Sequence, residues 1–241
     1  MARIGHFLFR FRNALFPIVL LLLAFGTRPR VAFGDIGLDH LTDGAGFLIS
    51  LSGQALRALV IGLAYITRGG QNQRVWAHAL VDGGVFAHCR NPLYVGNLLI
   101  IAGLAVVHNG WAMYLVALPL FVFVYAAIVR AEEAFLTETF GDAYRDYCRR
   151  VPQWVPSFGG LATTIGAMRF DWLKVVRKEY GTPFAWMSGM LVLLVAEHVR
   201  SRSAPPIGAA ELQALVGTWI VLAAAYLVAR TLKLRGYIGT T

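Results

Sequence analysis

The sequence predicts an all-α protein that crosses a membrane about six times. The chain has 241 residues, of which 57% are hydrophobic. Its mean hydropathy of +0.59 is far above that of a soluble domain. The hydrophobic residues are gathered into six apolar runs. Because lipid offers the backbone no hydrogen-bond partners, these runs have to be helical. One integral-membrane domain is therefore expected to cover residues 1–241.

The six predicted spans differ in length. They cover residues 14–25, 45–66, 93–108, 111–129, 184–199 and 209–229. The second and sixth can cross a bilayer alone, whereas the first, third and fifth need tilt, local thinning or re-entrance. Pro92 suits the first turn of the third span, and Pro119 predicts a kink in the fourth. The Gly- and Asp-rich residues 26–44 are predicted to form a surface loop.

Two amphipathic segments are predicted to lie in the headgroup plane as interfacial helices. In residues 130–151, hydrophobic side chains recur at helical spacing, and the other face is charged. Residues 161–180 show the same pattern with a cationic second face. Residues 93–129, which precede them, form a hydrophobic hairpin that contains no charged residue.

The distribution of Lys and Arg predicts the orientation of the protein. Of these 22 residues, 17 fall on the proposed inner side and four on the outer side, as expected when the excess is cytoplasmic. Both termini and the polar motifs described below are therefore predicted to be cytoplasmic, in a bacterial inner membrane. The net charge of +9 then reflects this bias and attraction to anionic lipid of the inner leaflet. Nucleic acid is not an expected partner.

Two further patterns concern processing and metals. The basic N-terminus and the small-x-small triplet 24–26 resemble a signal peptide, but Arg28 and Arg30 follow at once. We therefore favour an uncleaved first span. Cys89 and Cys148 fall in the proposed cytoplasmic region, where disulfides are uncommon. Because no His or Cys spacing matches a zinc template, no metal is expected.

Polar motifs stand at both feet of the hydrophobic hairpin. Arg90-Asn91-Pro92-Leu93-Tyr94-Val95-Gly96 comes before it, and Glu132-Glu133 and Tyr144…Tyr147…Val151-Pro152 come after it. Taken alone, Arg90 would be a positive-inside anchor and the glutamates a solvated helix end. An Arg matched with two adjacent carboxylates at the membrane surface instead indicates a site for a charged cofactor beside an apolar substrate.

Together with Leu80-Val81-Asp82-Gly83-Gly84-Val85-Phe86, these motifs resemble the isoprenylcysteine carboxyl methyltransferase and phospholipid methyltransferase family. The resemblance covers residues 80–156, roughly a third of the chain. Two positions depart from the family pattern: Asn91 stands where many relatives carry His, and Gly84-Val85-Phe86 stands where relatives often show Gly-Pro-Tyr.

The resemblance implies a methyltransferase that uses S-adenosylmethionine as cofactor. The cofactor-binding residues that it implies are Leu80, Val81, Gly84, Asn91, Pro92, Tyr94, Glu132 and Glu133, and the catalytic ones are Arg90 and Glu133. A glutamate can pair with the cofactor ammonium, and Arg90 with the cofactor carboxylate or an acidic acceptor. Adjacent helical residues point about 100° apart. At most one of the two glutamates is thus expected to face the pocket squarely, while the other can brace Arg130 or Arg145.

The sequence leaves the methyl acceptor open among a prenylated carboxylate, a phospholipid amine and a small amphiphile. Methyl transfer needs alignment and shielding from water rather than a metal. Two other functions stay open: an NADPH-dependent membrane reductase of related architecture, and a non-catalytic scaffold or transport subunit. No Gly-x-Gly-x-x-Gly fingerprint follows a strand, so a Rossmann cofactor site is not supported.

Overall fold

The computed structural model describes residues 2–63, 68–71, 74–77, 79–201 and 206–237. Its helices are α1 (Ala2–Gly26), α2 (Ile36–Leu63), α3 (Pro92–His108), α4 (Leu118–Phe140), α5 (Asp142–Arg150), α6 (Leu161–Gly166), α7 (Trp172–Glu179), α8 (Gly181–Arg200) and α9 (Ala209–Leu234). Strands β1 (Arg68–Gln71) and β2 (Arg74–Ala77) pair antiparallel after α2. Shorter turns lie at Ala32–Gly34, Gly84–Ala87 and Met113–Ala117. The predicted all-α class is confirmed, and the small hairpin is an addition to it.

Within the described ranges, four helical segments are long and apolar enough to cross a membrane. They are α2, α8, α9 and the continuous segment Met113–Phe140. Pro17–Gly26 and Pro92–His108 are shorter apolar helices. Each of the six predicted spans therefore falls on an apolar helix, and four of these have the length of a full crossing. The protein is an integral, multi-pass membrane protein.

The start of α2 corrects the predicted loop at residues 26–44. The helix begins at Ile36, so the second half of that segment is helical. Asp39 lies in the first turn, where a carboxylate complements the positive end of the helix. Its Oδ1 atom also accepts a hydrogen bond from the amide nitrogen of Ala32 at 2.8 Å. Residues that resemble a polar loop in the sequence thus form the first turns of a helix.

Both predicted interfacial helices are divided in the structure. The spanning helix α4 continues to Phe140, and Gly141, with a φ of 55°, turns the chain into α5. Residues 161–180 form α6 and α7, and the Asp171 carboxylate caps α7 by accepting from the Lys174 amide at 2.9 Å. The predictions of single helices over residues 130–151 and 161–180 were wrong. Hydrophobic residues can keep the same spacing on both sides of a tight turn, so their spacing does not reveal the break.

The predicted kink near Pro119 takes the form of a widened turn. Proline has no amide hydrogen and crowds the preceding turn, so a regular helix cannot continue through it undisturbed. The π-helical residues Met113–Ala117 directly precede α4, which carries Pro119 in its first turn. A π-turn is one of the established causes of helix kinks.

Helices α2 and α3 approach each other along a line of small residues. A Cβ atom on Gly103 would lie 2.2 Å from the carbonyl oxygen of Gly46 and 2.2 Å from Ser50 Oγ. A Cβ on Gly53 would lie 2.4 Å from the carbonyl oxygen of Gly96. Within lipid, such close backbone contact is a main cause of helix association. It fixes the start of α3, and the motif that precedes it, against α2.

The other spans pack around this pair. Helix α1 contacts α4 in a core cluster that contains Leu8, Phe9 and Phe121. Helix α8 contacts α3 in a second cluster that contains Trp186 and Leu104. Helix α9 buries none of its residues. Helix α3 therefore lies at the centre of the bundle, where it contacts α2, α4 and α8.

Candidate active site

The segment before α3 is joined by hydrogen bonds to the segment after α5. The backbone amide of Arg90 donates to the carbonyl of Pro152 at 2.9 Å, and the Asn91 side-chain amide donates to the carbonyl of Gln153 at 3.2 Å. The Ser157 amide donates to the carbonyl of His88 at 2.8 Å. These contacts bring the two halves of the motif together although about 60 residues of chain separate them.

Arg90 forms the centre of a polar group at this junction. Its terminal nitrogen Nη1 lies 2.7 Å from Glu133 Oε1 and 2.8 Å from Cys148 Sγ. Glu133 Oε1 also accepts from the Gln153 side-chain amide at 3.0 Å. The Arg90 and Glu133 side chains are 14% and 20% exposed, so the ion pair is largely shielded from water.

Electrostatics keep Arg90 fully charged. Burial by itself would lower the pKa of its guanidinium, but Glu133, with Cys148 and Tyr144, raises that pKa above its usual value. The pKa of the Tyr144 phenol is raised, first by burial and then by Glu133 and Cys148. Tyr144 is therefore a neutral hydroxyl at physiological pH.

Tyr94 connects α3 to the second glutamate. The helix begins at Pro92, which occupies its first turn as predicted and is fully buried. Tyr94 follows two residues later, and its hydroxyl donates to Glu132 Oε1 at 2.6 Å. The Tyr94 ring also lies 5.3 Å from that of Tyr125 on α4. Both predicted glutamates therefore contact the motif at the start of α3.

The structure gives Glu133 a bracing partner that was not predicted. One of the two glutamates was expected to brace Arg130 or Arg145, but Glu133 pairs with Arg90. Arg145 instead pairs with Asp142 at 2.6 Å on the exposed side of α5. The two glutamates are adjacent on α4 but have different partners. Glu133 contacts Arg90, and Glu132 contacts Tyr94, which lies four residues after Arg90. The proximity of these four side chains depends on how α3 and α4 pack, which the sequence does not reveal.

The remaining predicted cofactor residues lie in two apolar clusters. Leu80 packs in a cluster with Tyr144, Tyr147 and Cys148, on the same side as the Arg90 ion pair. Val81 packs in a separate cluster at the end of α2. Gly84 adopts a φ of 59°, and a Cβ there would lie 2.8 Å from Met168 Cε. The protein's own Met168 therefore occupies the space that Gly84 leaves.

Tyr147 helps to hold this arrangement together. Its side chain is fully buried, and its hydroxyl donates to the carbonyl of Phe86 at 2.8 Å. From the sequence alone, Tyr144 and Tyr147 can either line the entry of the acceptor or pack against the hairpin. The structure places both rings in the packed cluster, 5.9 Å apart.

A second buried ion pair joins α2 to α7, and it was not predicted from the sequence. Arg57, within the second predicted span, forms a forked pair with Glu179 of α7 at 2.9 and 2.5 Å. Its Nη1 donates to Asn97 Oδ1 at 2.6 Å. The Arg57 stem occupies space that a Cβ on Gly96 would need, at 2.6 Å. An ionisable residue inside an apolar span is the sequence signal from which this pair could have been found.

An apolar cavity extends from this region into the bundle. Its volume is about 390 Å³, and it lies between α1, α3, α4 and α8. Its lining is mostly apolar, and Asn97, Tyr125, Thr182, Trp186 and Ser188 supply the polar atoms on its wall. Tyr125 contacts Tyr94, so the cavity approaches the polar group that contains Glu132.

Comparisons with known proteins agree with the resemblance predicted from the motifs. The family model described as phospholipid methyltransferase matches residues 48–143. This range contains Arg90, both glutamates and the whole hydrophobic hairpin. No solved structure gives a significant match to the chain.

Three curated relatives show what the chain is similar to. A protein-S-isoprenylcysteine O-methyltransferase of Schizosaccharomyces pombe is 31% identical over 123 residues, which cover 48% of this chain and 50% of the relative. Its counterpart of the same name in Rattus norvegicus is 32% identical over 131 residues, 48% of this chain and 42% of the relative. A cobalt-zinc-cadmium resistance protein of Cupriavidus metallidurans is 38% identical over 79 residues, 33% of this chain and 36% of the relative.

The similarity is thus partial in both directions. The chain spans between about a third and a half of the length of these curated relatives. The resemblance to the isoprenylcysteine carboxyl methyltransferase and phospholipid methyltransferase family is confirmed for the region that contains the candidate site.

Proposed function

We propose that this protein is a membrane methyltransferase that uses S-adenosylmethionine to modify a lipid or a lipidated amphiphile. The observation that carries the proposal is the group formed by Arg90, Glu133, Tyr94 and Glu132, in which the Tyr94 ring contacts Tyr125 on the wall of an apolar cavity. The family match and the names of the isoprenylcysteine methyltransferase relatives support the same reaction class.

The side chains of this group fit the charges of S-adenosylmethionine. That cofactor carries an ammonium, a carboxylate and a sulfonium, and it supplies a methyl carbon that the sulfonium activates for direct displacement. Glu132 and Glu133 offer carboxylates for the ammonium, and Arg90 offers a guanidinium for a carboxylate. Because Glu133 is already paired with Arg90, we assign to it a further role, which is to hold the guanidinium in place. Leu80 and Val81 offer apolar contacts for the adenosine.

The apolar cavity suits the hydrophobic part of the acceptor. Tyr125 on its wall leads towards Tyr94 and Glu132, so a reactive headgroup can reach the polar group while its tail stays in the bundle. A carboxylate headgroup needs no base, and Arg90 can orient it. An amine headgroup has to be neutral before it attacks, and one of the glutamates can accept its proton. Exclusion of water from both reactants favours either reaction.

The cofactor assignment is tested by calorimetric titration of the purified protein in detergent. We expect S-adenosylmethionine to bind and NADPH not to bind. The double variant Glu132→Gln plus Glu133→Gln should lose about ten- to a hundredfold in affinity, because a charge-assisted contact contributes about 1.5–3 kcal/mol. Glu138→Gln, an exposed position on the same helix, is the matched control and should bind as wild type.

Two results would overturn this assignment. Unchanged affinity in a folded double variant would remove the glutamates from the cofactor site. Binding of NADPH without S-adenosylmethionine would favour the reductase. If the cofactor binds as expected, transfer of a labelled methyl group into total membrane lipids and proteins, followed by identification of the product, would identify the acceptor.

We also propose that the site faces the cytoplasm of a bacterial cell and opens to the inner leaflet. The excess of Lys and Arg on the side of the termini supports this orientation. A reporter fused after Thr241 should be cytoplasmic, and a reporter inserted at Asn109, between α3 and α4, should be external. A cytoplasmic reporter at Asn109 would mean that the hairpin is re-entrant.

A further inference from the structure

Three carboxylates converge at the end of α2 that is remote from the candidate active site. Asp39 and Asp43 lie one turn apart at the start of α2, and Glu197 lies in the last turn of α8. One carboxylate oxygen from each residue lies within 4.8 Å of those of the other two. Three like charges at such distances repel one another strongly unless something neutralises them.

Two of these carboxylates are buried, Asp43 is partly exposed, and the cluster is incompletely hydrogen-bonded. Asp39 is 8% exposed and Glu197 is 4% exposed. Within the described part of the chain, the buried atoms Glu197 Oε1 and Asp43 Oδ1 have no hydrogen-bond partner. A buried carboxylate oxygen without a partner is costly, and proteins normally satisfy such groups with a hydrogen bond, a counter-charge or a metal.

Neighbouring side chains do not neutralise the cluster through ion pairs. Among the described residues, no Lys or Arg forms an ion pair with any of the three carboxylates. His198 follows Glu197, but its ring is engaged elsewhere. Its Nδ1 lies 2.9 Å from the carbonyl of Leu194, and its Nε2 lies 3.4 Å from Glu211 Oε1.

We propose that Asp39, Asp43 and Glu197 bind one hard divalent cation of the Mg²⁺, Ca²⁺ and Mn²⁺ class. A ligand set made entirely of carboxylate oxygens matches the preference of these ions. The four-residue spacing of Asp39 and Asp43 presents both on one face of α2, and Glu197 closes the set from α8. The expectation that no metal is bound rested on zinc templates and on methyl-transfer chemistry, neither of which concerns this cluster.

The position of the cluster separates it from the candidate active site. From Asp39 to Val60 is a distance of about 30 Å along α2, at 1.5 Å per residue. Val60 packs against Val85 and Phe86, next to the motif before α3. Because the hydrocarbon core of a bilayer is about 30 Å thick, the cation lies at the opposite membrane face. There it ties the first turn of α2 to the last turn of α8, and it takes no part in methyl transfer.

The test uses Mn²⁺ as the probe on the full chain, stripped with a chelator in a non-ionic detergent. Free Mn²⁺ is counted by electron paramagnetic resonance, and thermal unfolding is followed in the same samples. We expect one saturable Mn²⁺ per chain and a rise in Tm with Mn²⁺. Glu197→Gln should weaken binding by about tenfold or more, since even partners outside the ligand set contribute about 10- to 100-fold. It should also reduce the Tm rise that a given Mn²⁺ concentration produces.

The matched control is Glu211→Gln, which removes a carboxylate near Glu197 but outside the cluster. It should bind Mn²⁺ as wild type does. Wild-type protein without saturable binding, or Glu197→Gln with wild-type affinity, would overturn the proposal. If Glu197→Gln does not fold, Asp43→Asn decides by the same criterion. Neither Mn²⁺ binding nor the Tm measurement depends on S-adenosylmethionine. The cation site and the proposed methyltransferase function are therefore tested independently.

Discussion

The ion pair between Arg90 and Glu133 makes a quantitative prediction about stability. Glu133→Gln keeps the shape of the side chain but removes the charge that faces Arg90 Nη1 at 2.7 Å. A hydrogen bond that involves a charged group contributes about 1.5–3 kcal/mol. Because the two side chains are 14% and 20% exposed, some screening applies and we expect the lower end, about 1.5 kcal/mol. In a chain of this size that corresponds to a fall in Tm of about 3–6 °C.

The same pair predicts non-additive behaviour in a double-mutant cycle. Arg90→Gln should cost at least as much as Glu133→Gln, because it removes the positive partner of the Glu133 carboxylate and leaves that charge with the neutral Gln153 side-chain amide as donor. The double variant should be more stable than the sum of the single effects by about 1–2 kcal/mol. Thermal unfolding in detergent, followed through the intrinsic fluorescence of the six tryptophans, measures all four proteins.

The cycle has its own control and its own refutation. Glu138→Gln makes the same substitution on the exposed side of α4 and should leave Tm unchanged. If Glu133→Gln matches Glu138→Gln, or if the single effects add to within about 0.5 kcal/mol, the ion pair does not stabilise the fold. Glu133 would then have no part in holding Arg90.

Two further predictions concern helix packing and thiol access. Gly103→Ala should destabilise the protein by about 1–3 kcal/mol, because its Cβ would lie 2.2 Å from the carbonyl oxygen of Gly46. In the control Gly217→Ala, the new Cβ would meet no neighbouring atom within 4 Å, so the Tm should stay unchanged or rise. Equal Tm values for both variants would contradict close α2–α3 packing. A maleimide at pH 7 should modify Cys148 in the folded chain but not Cys89, which is 1% exposed and whose pKa is raised by burial, so that its reactive thiolate becomes abundant only at higher pH. Mass spectrometry should find one label per folded chain and two after unfolding in SDS, and labelling of Cys89 in the Cys148→Ser variant at the rate of an exposed thiol would contradict the packing.

Hydropathy predicted the membrane fold because burial in lipid constrains the composition of every span. The α3 boundaries follow from residues with strong local preferences, since Pro92 starts the helix and Asn109, with a φ of 50°, ends it. The start of α2 was missed because Asp39 stabilises a helix end through a contact with Ala32. A carboxylate in an acidic, Gly-rich segment looks the same in a loop and in a first turn.

The candidate site was predictable in its membership but not in its pairing. The motif singled out Arg90, Glu132 and Glu133, yet the partner of Glu133 is 43 residues away along the chain. That contact depends on the crossing of α3 and α4, which no local pattern encodes. Arg57 and Glu197 are ionisable residues within predicted apolar spans, and such residues generally have a buried polar role. Their partners, Glu179 and the two aspartates of α2, again come from distant segments.

The structure also shows that residues of the motif have two different roles. Some stabilise the packing of α3, whereas others place their side chains in the group formed by Arg90, Glu133, Tyr94 and Glu132. Gly96 gives room to Arg57 and to the Gly53 carbonyl, and Asn91 bonds the backbone at Gln153. A substitution at either position is expected to disturb α3, so the proposed methyl transfer would fall whether or not the residue contacts the cofactor. Arg90 belongs to both groups, because its amide bonds Pro152 while its guanidinium pairs with Glu133. Loss of activity in a motif variant therefore identifies a cofactor contact only when Tm is unchanged and cofactor affinity falls.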